Sequence, residues 1–305
     1  MRVLRRSARR RGNRRRVGSA LSALLLAAAG AVVSLAPAQP ARAYSAIQVA
    51  LGFDACAAPT MAQMRTWWDN SPYWDIGIYI GGTARGCAQP NLTAQWLDDV
   101  QDINVGGAWG LLPIWVGPQS QCVQQATIPA TKRFSNVAQT AYTQGTQEAQ
   151  SAVVQAIALG FELDELPLVY DLEGFDAQNP ANATCLAAAQ QFIQGWTEGL
   201  HNGANYQSGV YGSTCSSGLS ALADPPVRGT SIPDFIWGAD YDGNPSTSAM
   251  RCVPSGKWPL FSRHKQFMGP HNETYGGLTI NIDTDCSNGP LYYPEDRLQI
   301  NDECI

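Results

Sequence analysis

Two carboxylates at the end of one apolar run carry the most chemistry in this sequence. Residues 166–170 (LPLVY) are typical of a buried strand, and Asp171 and Glu173 follow two residues apart. Because side chains on a strand alternate between its faces, both acids point the same way, roughly 6.6 Å apart along the strand. This arrangement fits either a paired-carboxylate site, as glycoside hydrolysis requires, or a strand that ends in a solvated acidic turn.

Further acids follow other predicted strands. They are Asp54, Asp240, Asp283 and Asp285. If the strands close into a barrel, their carboxyl ends meet at one face, where the active sites of such barrels lie. Glycoside hydrolysis needs a protonated carboxyl group to donate to the leaving oxygen and an ionised one to stabilise or attack the anomeric carbon. We therefore expect the catalytic carboxylates to be among these acids and the pair Asp171 and Glu173.

Within this group, Glu173 is the expected proton donor. It is the longer acid at the extreme end of its strand, so it reaches furthest into the pocket. Asp171 and Asp54 are expected to stay ionised and to raise the pKa of Glu173 by disfavouring its charge. The alternative for any single acid is a turn residue or a helix cap.

Aromatic and polar side chains near the same strand ends are candidates for contact with a sugar. The predicted substrate-binding residues are Tyr79, Trp115, Tyr211, Trp237, Asp240, Tyr241, Gln266 and Asp285. The alternative for the aromatic members is core packing, since aromatic side chains supply much of the buried surface of any core.

Other reaction types are excluded by what the sequence lacks. A Ser-His-Asp triad is not expected, because no serine lies in a G-x-S-x-G turn where one of the three histidines, His201, His264 and His271, could activate it. There is no P-loop, no G-x-G-x-x-G motif and no C-x2-C pair that would indicate a zinc site. We therefore expect neither a cofactor nor a metal ion.

The first 43 residues have the character of a secretory signal peptide. Nine arginines precede residue 17, an apolar stretch covers residues 20–35, and Ala41, Arg42 and Ala43 suit the cleavage positions. Cleavage is expected before Tyr44, by either the general or the twin-arginine export route. The apolar stretch is too short and too rich in alanine for a membrane span. The protein is therefore expected to be secreted, with no stable membrane insertion.

The remaining 262 residues are acidic and long enough for one (β/α) barrel. The leader holds ten of the 20 Lys and Arg residues and none of the 25 Asp and Glu residues, so the rest carries a net charge of −15. Nucleic acid, which requires a basic footprint, is not an expected partner. Residues 44–305 are predicted to form a single domain and a monomer.

Eight cysteines follow the leader, and an even number in an exported chain predicts disulfide bonds. Spacing alone leaves 105 connectivities open. Because loops at the ends of adjacent barrel strands lie within disulfide reach, we expect four pairs. They are Cys56–Cys87, Cys122–Cys185, Cys215–Cys252 and Cys286–Cys304.

The elements that must position these residues alternate along most of the chain. Five apolar strands, each followed by a helical segment, begin near residues 49, 75, 111, 166 and 208. Three more, near residues 234, 265 and 279, are separated by segments rich in Gly, Pro, Ser and Asn. This pattern favours a parallel sheet, and eight strands favour closure. The predicted fold is α/β, a (β/α) TIM-like barrel of five β-α units followed by three strands lacking regular helices.

These motifs resemble two related families. The segments at residues 52–54 (GFD), 170–173 (YDLE), 237–241 (WGADY), 265–267 (KQF) and 282–285 (IDTD) are similar to those of the glycoside hydrolase family 25 lysozymes. The segments at residues 52–56, 77–82 and 89–93 resemble the secreted actinobacterial glycoside-hydrolase-like domain of unknown function 1906. The resemblance covers nearly all of residues 47–285.

The resemblance implies a barrel that acts on carbohydrate. Residue by residue, Glu173 matches the acid of the lysozymes, and Asp54, Asp171 and Asp283 match their supporting carboxylates, with Asp285 as a competitor of Asp283. The chain departs from the lysozymes in its eight cysteines. We expect a glycoside hydrolase acting on a polysaccharide, with peptidoglycan as the first candidate substrate. The alternatives are a non-catalytic barrel that binds glycan and a disulfide-stabilised scaffold without a sugar site.

Overall fold

The computed structural model describes residues 43–104, 107–162, 164–203, 206–223, 231–259, 261–294 and 304. The predicted leader lies outside these residues except for Ala43, which begins the first strand. Cleavage before Tyr44 would leave the rest of that strand in the mature chain. Among the described residues, none of the helices combines the length and the apolar character that a membrane span requires.

Eight strands close into one barrel in the order of the sequence. The strands are β1 (Ala43–Asp54), β2 (Asp75–Gly81), β3 (Gly110–Trp115), β4 (Pro167–Asp171), β5 (Gln207–Ser213), β6 (Phe235–Ala239), β7 (Arg263–Tyr275) and β8 (Leu278–Pro294). The helices are α1 (Met61–Asn70), α2 (Ala94–Gln101), α3 (Ala138–Leu159), α4 (Ala183–Gly203) and the short α5 (Leu219–Leu222). The predicted barrel of five β-α units and three strands lacking regular helices is confirmed.

Capping residues set the ends of several helices. Thr60 accepts a hydrogen bond from the backbone of Gln63, whose side chain bonds back to the backbone of Thr60, so α1 begins with a complete capping box. Thr93 caps α2 in the same way through a single bond. Gly160 ends α3 in the left-handed conformation, with φ of 91°. These local signals fix where each crossover leaves and rejoins the barrel.

Strand β8 departs from the parallel order. Neighbours from β1 to β7 pair in parallel, whereas β8 pairs antiparallel with both β7 and β1. The turn between β7 and β8 is Gly276 and Gly277, with φ of 57° and 82°. A two-residue hairpin reverses the chain and leaves no room for a crossover, so the expected parallel direction is wrong for β8. The acids of β8 therefore lie in its first half rather than at its end.

The two faces of the strands contact different neighbours. The outward face packs against the helices, where Phe53, Trp67 and Trp109 form edge-to-face and tilted aromatic contacts. The inward face fills the lower barrel with apolar side chains such as Ile114 and Trp237. The lower barrel is therefore packed, mainly with apolar side chains, and it also encloses a few polar groups such as Asp75 and Ser287.

Four disulfide bonds connect the chain as expected: Cys56–Cys87, Cys122–Cys185, Cys215–Cys252 and Cys286–Cys304. Their Cα–Cα distances are 5.7, 6.1, 5.1 and 5.5 Å. The first joins the loop after β1 to the loop after β2. The four predicted pairs are confirmed. The first three restrain segments that follow strands at the barrel mouth, whereas the fourth ties Cys304 to Cys286 within β8.

Candidate active site

One cavity of about 660 Å³ opens at the face where the parallel strands end. Its lining includes Asp54, Asp171, Glu173 and Asp283, the four acids predicted to form the catalytic site. Asp54 and Asp171 are the last residues of β1 and β4, and Asp283 lies opposite Asp54 on β8. Carboxylates from three strands thus meet in one place. Within the described part of the chain, no group of three or more His, Cys, Asp or Glu residues is arranged to hold a metal ion.

Asp54 is almost fully enclosed. Tyr79 Oη donates to its Oδ1 at 2.7 Å, and Gln266 Nε2 donates to its Oδ2 at 2.5 Å. Gly77 leaves room for this carboxylate, because a Cβ there would lie 2.9 Å from the Cβ of Asp54. Burial and then the charge of Asp283 raise the pKa of Asp54 to about 7, against hydrogen bonds with Tyr79, Gln266 and Asp285, which lower it. Asp54 can therefore gain or lose a proton near neutral pH.

Gln266 links Asp54 to two tyrosines. Its Oε1 accepts hydrogen bonds from Tyr211 Oη at 2.8 Å and Tyr241 Oη at 2.9 Å. Because both hydroxyl groups donate to Oε1, the Nε2 end of the amide faces the carboxylate of Asp54. Gln266 is 1% exposed and Tyr241 is 55% exposed, so the network runs from the barrel interior to the solvent. The predicted substrate-binding residues Tyr79, Tyr211, Tyr241 and Gln266 all line the cavity.

The backbone of Asp171 and Glu173 is held by Gln119, a fully buried side chain in the loop after β3. Its Nε2 donates to the carbonyl oxygen of Asp171 at 2.8 Å, and its Oε1 accepts from the backbone N–H of Glu173 at 2.9 Å. Glu173 lies two residues beyond β4, where no strand ladder would otherwise fix it. Sequence reasoning missed Gln119, because nothing in its polar loop distinguishes this glutamine from the others.

Burial raises the pKa of both acids at the end of β4. The pKa of Asp171 lies well above its usual range, through desolvation first and then the charges of Glu173 and Asp54. The pKa of Glu173 is raised by desolvation. The pKa of Glu173 is thus raised as expected, but by burial rather than by the charges of Asp171 and Asp54, and the pKa of Asp171, a group expected to stay ionised, is raised as well. Asp171 lies deeper, at 5% exposure, so its charged form costs more.

The two acids of β8 occupy different levels of the barrel. Asp283 lines the cavity, and burial raises its pKa to about 6, with a smaller opposing effect of the charge of His271. Asp285 lies one pleat deeper, where Trp237 Nε1 donates to its Oδ1 at 3.1 Å. Of these two competitors, Asp283 is the one that faces the cavity. Asp285 and Trp237, both predicted to bind substrate, lie beneath its floor and outside its lining.

Two further predicted substrate-binding residues also lie outside the cavity lining. Trp115 faces the helices, where its Nε1 donates to Glu148 Oε2 on α3 at 2.6 Å. Strand alternation explains this position, because the neighbours of Trp115 on β3 face the interior. Asp240 is 1% exposed and accepts hydrogen bonds from the backbone and guanidinium group of Arg251. Its carboxylate stabilises the loop after β6.

A second cavity of about 510 Å³ shares part of its lining with the first. The shared residues are Gln125, Glu173, Tyr211 and Tyr241. Glu173 therefore lies on the boundary between the two cavities. Two tyrosines line both cavities with it, Tyr211 on β5 and Tyr241 just after β6. An extended ligand that lies across this boundary would contact Glu173 near its middle.

The comparison with solved structures found muramidases and lysozymes with barrel folds. The muramidase from Acremonium alcalophilum is 16% identical, with a TM-score of 0.43, and the match covers 79% of this chain and 94% of that one. A bacterial lysozyme from Streptomyces coelicolor is 16% identical, with a TM-score of 0.45 and coverage of 79% and 92%. A family GH25 lysozyme from Aspergillus fumigatus is 14% identical, with a TM-score of 0.45 and coverage of 80% and 95%.

The comparison with curated proteins gave no match. The comparison with protein families matched residues 65–287 to the model of the Rv2525c-like, glycoside hydrolase-like domain. This segment contains Asp171, Glu173 and Asp283, and the match covers well over half of the chain. The relationship suggested by the motifs is confirmed, and the chain belongs to the family of Rv2525c-like, glycoside hydrolase-like domains.

Proposed function

We propose that this protein is a secreted glycoside hydrolase that cleaves a polysaccharide, with cell-wall glycan as the first candidate, by carboxylate acid catalysis. The observation that carries the proposal is the convergence of Asp54, Asp171, Glu173 and Asp283 on one cavity at the barrel mouth. Membership of a glycoside hydrolase-like family supports the same class of reaction. Four disulfide bonds and the predicted leader support a location outside the cell.

Glu173 is the proton donor in this proposal. Its side chain is partly exposed, lines both cavities and stands on a backbone that Gln119 fixes. Its raised pKa keeps the carboxyl group protonated at higher pH than a free glutamic acid would be. A positioned acid of this kind can protonate the oxygen of the glycosidic bond as that bond breaks.

The neighbouring carboxylates would stabilise the positive charge that develops on the sugar ring. Asp283, with a pKa raised to about 6, and Asp54, with a pKa raised to about 7, are the groups that ionise close to neutral pH. An ionised carboxylate in a water-poor site stabilises an oxocarbenium-like transition state more strongly than one in water would. The pKa of Asp171 is raised well above its usual range by burial and by the charges of Glu173 and Asp54, and in its protonated form Asp171 would donate a hydrogen bond in the site.

A polymer fits this site better than a single sugar does. The cavities of about 660 and 510 Å³ meet at Glu173, so sugar units can occupy both sides of the proton donor. Tyr211 and Tyr241 line both spaces and offer aromatic faces next to the bond to be cleaved. Cleavage is therefore proposed to occur within a chain rather than only at its end.

The direct test is to incubate the purified secreted protein with peptidoglycan and a panel of other polysaccharides and to assay new reducing ends. Glu173→Gln should lower the rate by about 10²- to 10⁴-fold, the usual contribution of a positioned general acid. Glu198→Gln on α4 is the matched control, because Glu198 bonds to Tyr142 on the outer helices and lies outside both cavities. It should keep the full rate.

Binding measurements separate the enzyme from a non-catalytic barrel. In an enzyme, Glu173→Gln loses turnover but keeps most of its affinity for the substrate. If a glycan binds while none in the panel is cleaved, the cavity is a receptor site and the hydrolase proposal fails. If Glu173→Gln cleaves its substrate at a near-normal rate, the assignment of Glu173 as proton donor fails.

A further inference from the structure

The cavity that holds the four acids also contains two basic side chains. Among the described residues of its lining, these are Arg85, in the loop after β2, and Lys132, in the long loop after β3. Neither forms an ion pair with a carboxylate in the parts of the chain that the structure describes. The guanidinium group of Arg85 donates to the carbonyl oxygen of Tyr79 at 3.4 Å, a long bond that occupies one of its five donors.

Both basic residues stand on loops that are fixed in place. Two residues after Arg85, Cys87 is bonded to Cys56, and before it the N–H of Ala84 donates to the carbonyl oxygen of Val116 at 2.9 Å. A rigid loop presents its charge without the entropy loss of ordering on binding. Arg85 is therefore held at the cavity wall before any ligand arrives.

Lys132 is connected to the proton donor through one residue. Its carbonyl oxygen accepts from the backbone N–H of Gln119 at 2.9 Å, and the side chain of Gln119 accepts from the N–H of Glu173. The next residue, Arg133, closes the loop by donating to the carbonyl oxygens of Ile128 and Gln121. The same buried glutamine thus sets the backbone of Glu173 and the backbone of Lys132.

We propose that Arg85 and Lys132 form a subsite for a carboxylate carried by the glycan, so that the protein selects acidic sugars over neutral ones. The inference rests on the proposed function and adds its substrate class. The ionised acids of the same cavity repel an anion, so an acidic substituent of the glycan would be held against the two basic side chains. Beside the acids of the cavity, two basic side chains offset the single negative charge of a carboxylate better than the double charge of a phosphate. The planar guanidinium group of Arg85 can also bind a carboxylate through two bonds.

The test compares one glycan in two forms. The probe is peptidoglycan strands freed of their peptides, whose lactyl carboxyl groups are ionised, and the same strands with these groups reduced to alcohols. Binding is measured in the Glu173→Gln background, so that nothing is hydrolysed during the titration. The acidic strands should bind more tightly than the reduced strands.

The variants Arg85→Gln and Lys132→Gln locate the selectivity. Together they should weaken binding of the acidic strands by roughly 10- to 100-fold, the usual effect of losing hydrogen bonds to a charged group. Binding of the reduced strands should change by less than about 2-fold. Arg65→Gln, which removes the same charge from the exposed face of α1, is the matched control and should change neither. Circular dichroism confirms that each variant is folded, and each single variant should show part of the effect.

The outcomes separate this inference from the proposed function. Equal affinity of the parent for both strands, or equal losses on both strands in the double variant, overturns the carboxylate subsite. Cleavage of both strands by the unmodified protein would then leave the hydrolase proposal standing. Selective binding of acidic strands without any cleavage supports the subsite and overturns the hydrolase proposal. Binding of neither form overturns both.

Discussion

Replacement of Asp75 by asparagine tests whether burial in the barrel interior disfavours the charged form of this carboxyl group. Asp75 begins β2 and is 3% exposed, with one carboxylate oxygen accepting from Ser287 Oγ at 2.9 Å. Its other oxygen has no hydrogen-bond partner among the described residues. Gly52 faces it so closely that a Cβ there would lie 2.1 Å from Oδ1. Desolvation therefore raises the pKa of Asp75 to about 7, against the hydrogen bond from Ser287, which lowers it.

The effect on stability follows from the two protonation equilibria. In the unfolded chain an aspartate has a pKa of about 3.9, so between about pH 4 and pH 7 the folded state binds more protons than the unfolded state. The free energy of unfolding must then fall as the pH rises through this window. From about 3.9 to about 7, the full loss attributable to Asp75 is roughly 4 kcal/mol, reached above pH 7.

Asp75→Asn removes this titration and keeps an oxygen for the hydrogen bond from Ser287. At pH 4 the variant and the parent should have nearly equal free energies of unfolding, and at pH 8 the variant should be more stable by up to about 4 kcal/mol. Urea unfolding at five pH values, with the disulfide bonds intact, measures the difference.

Asp69→Asn is the matched control, because Asp69 lies exposed on α1 and its replacement should leave the two curves parallel. A constant difference between Asp75→Asn and the parent at every pH would refute the reasoning, since it would mean that Asp75 has the same pKa in the folded barrel as in the unfolded chain.

Three other substitutions test the candidate active site and the helix packing around the barrel. Asp171→Asn should leave nearly unchanged the limb of the pH–rate profile that reports Glu173, because burial rather than the charge of Asp171 raises the pKa of Glu173; a clear shift of that limb would show that the charge of Asp171 acts on Glu173. Gln119→Leu should lower kcat by roughly 10-fold or more and change KM little, because the backbone of the proton donor loses its support; unchanged kinetics would remove Gln119 from the site. Gly145→Ala should destabilise the protein by about 2 kcal/mol or more in urea unfolding, because its methyl group would lie 1.9 Å from a carbonyl oxygen of α4. Its control, Gly256→Ala, meets nothing within 4 Å and should stay within about 0.5 kcal/mol of the parent.

Much of the fold could be predicted because its signals are local. Apolar runs of strand length alternate with helical patterns, and residues such as Thr60, Thr93 and Gly160 mark helix ends through bonds to their own neighbours. The disulfide pairs could be predicted for a related reason, because successive strands of a barrel are neighbours and so are the loops that follow them. The convergence of Asp54 and Asp171 could be predicted from the same rule.

The sequence by itself therefore determined the order of the elements and the convergence of acids from several strands, and the predicted barrel then gave the pairing of the cysteines. The tertiary structure decided that Asp240 and Asp285 lie outside the cavity lining. It decided the direction of β8, which depends on a two-residue turn at Gly276 and Gly277. It also decided that Trp115 faces the helices and that Gln119 holds Glu173. The raised pKa of Asp171 came only from the structure as well. Desolvation depends on how much protein surrounds a group from every strand, and that depth is a property of the closed barrel rather than of any segment.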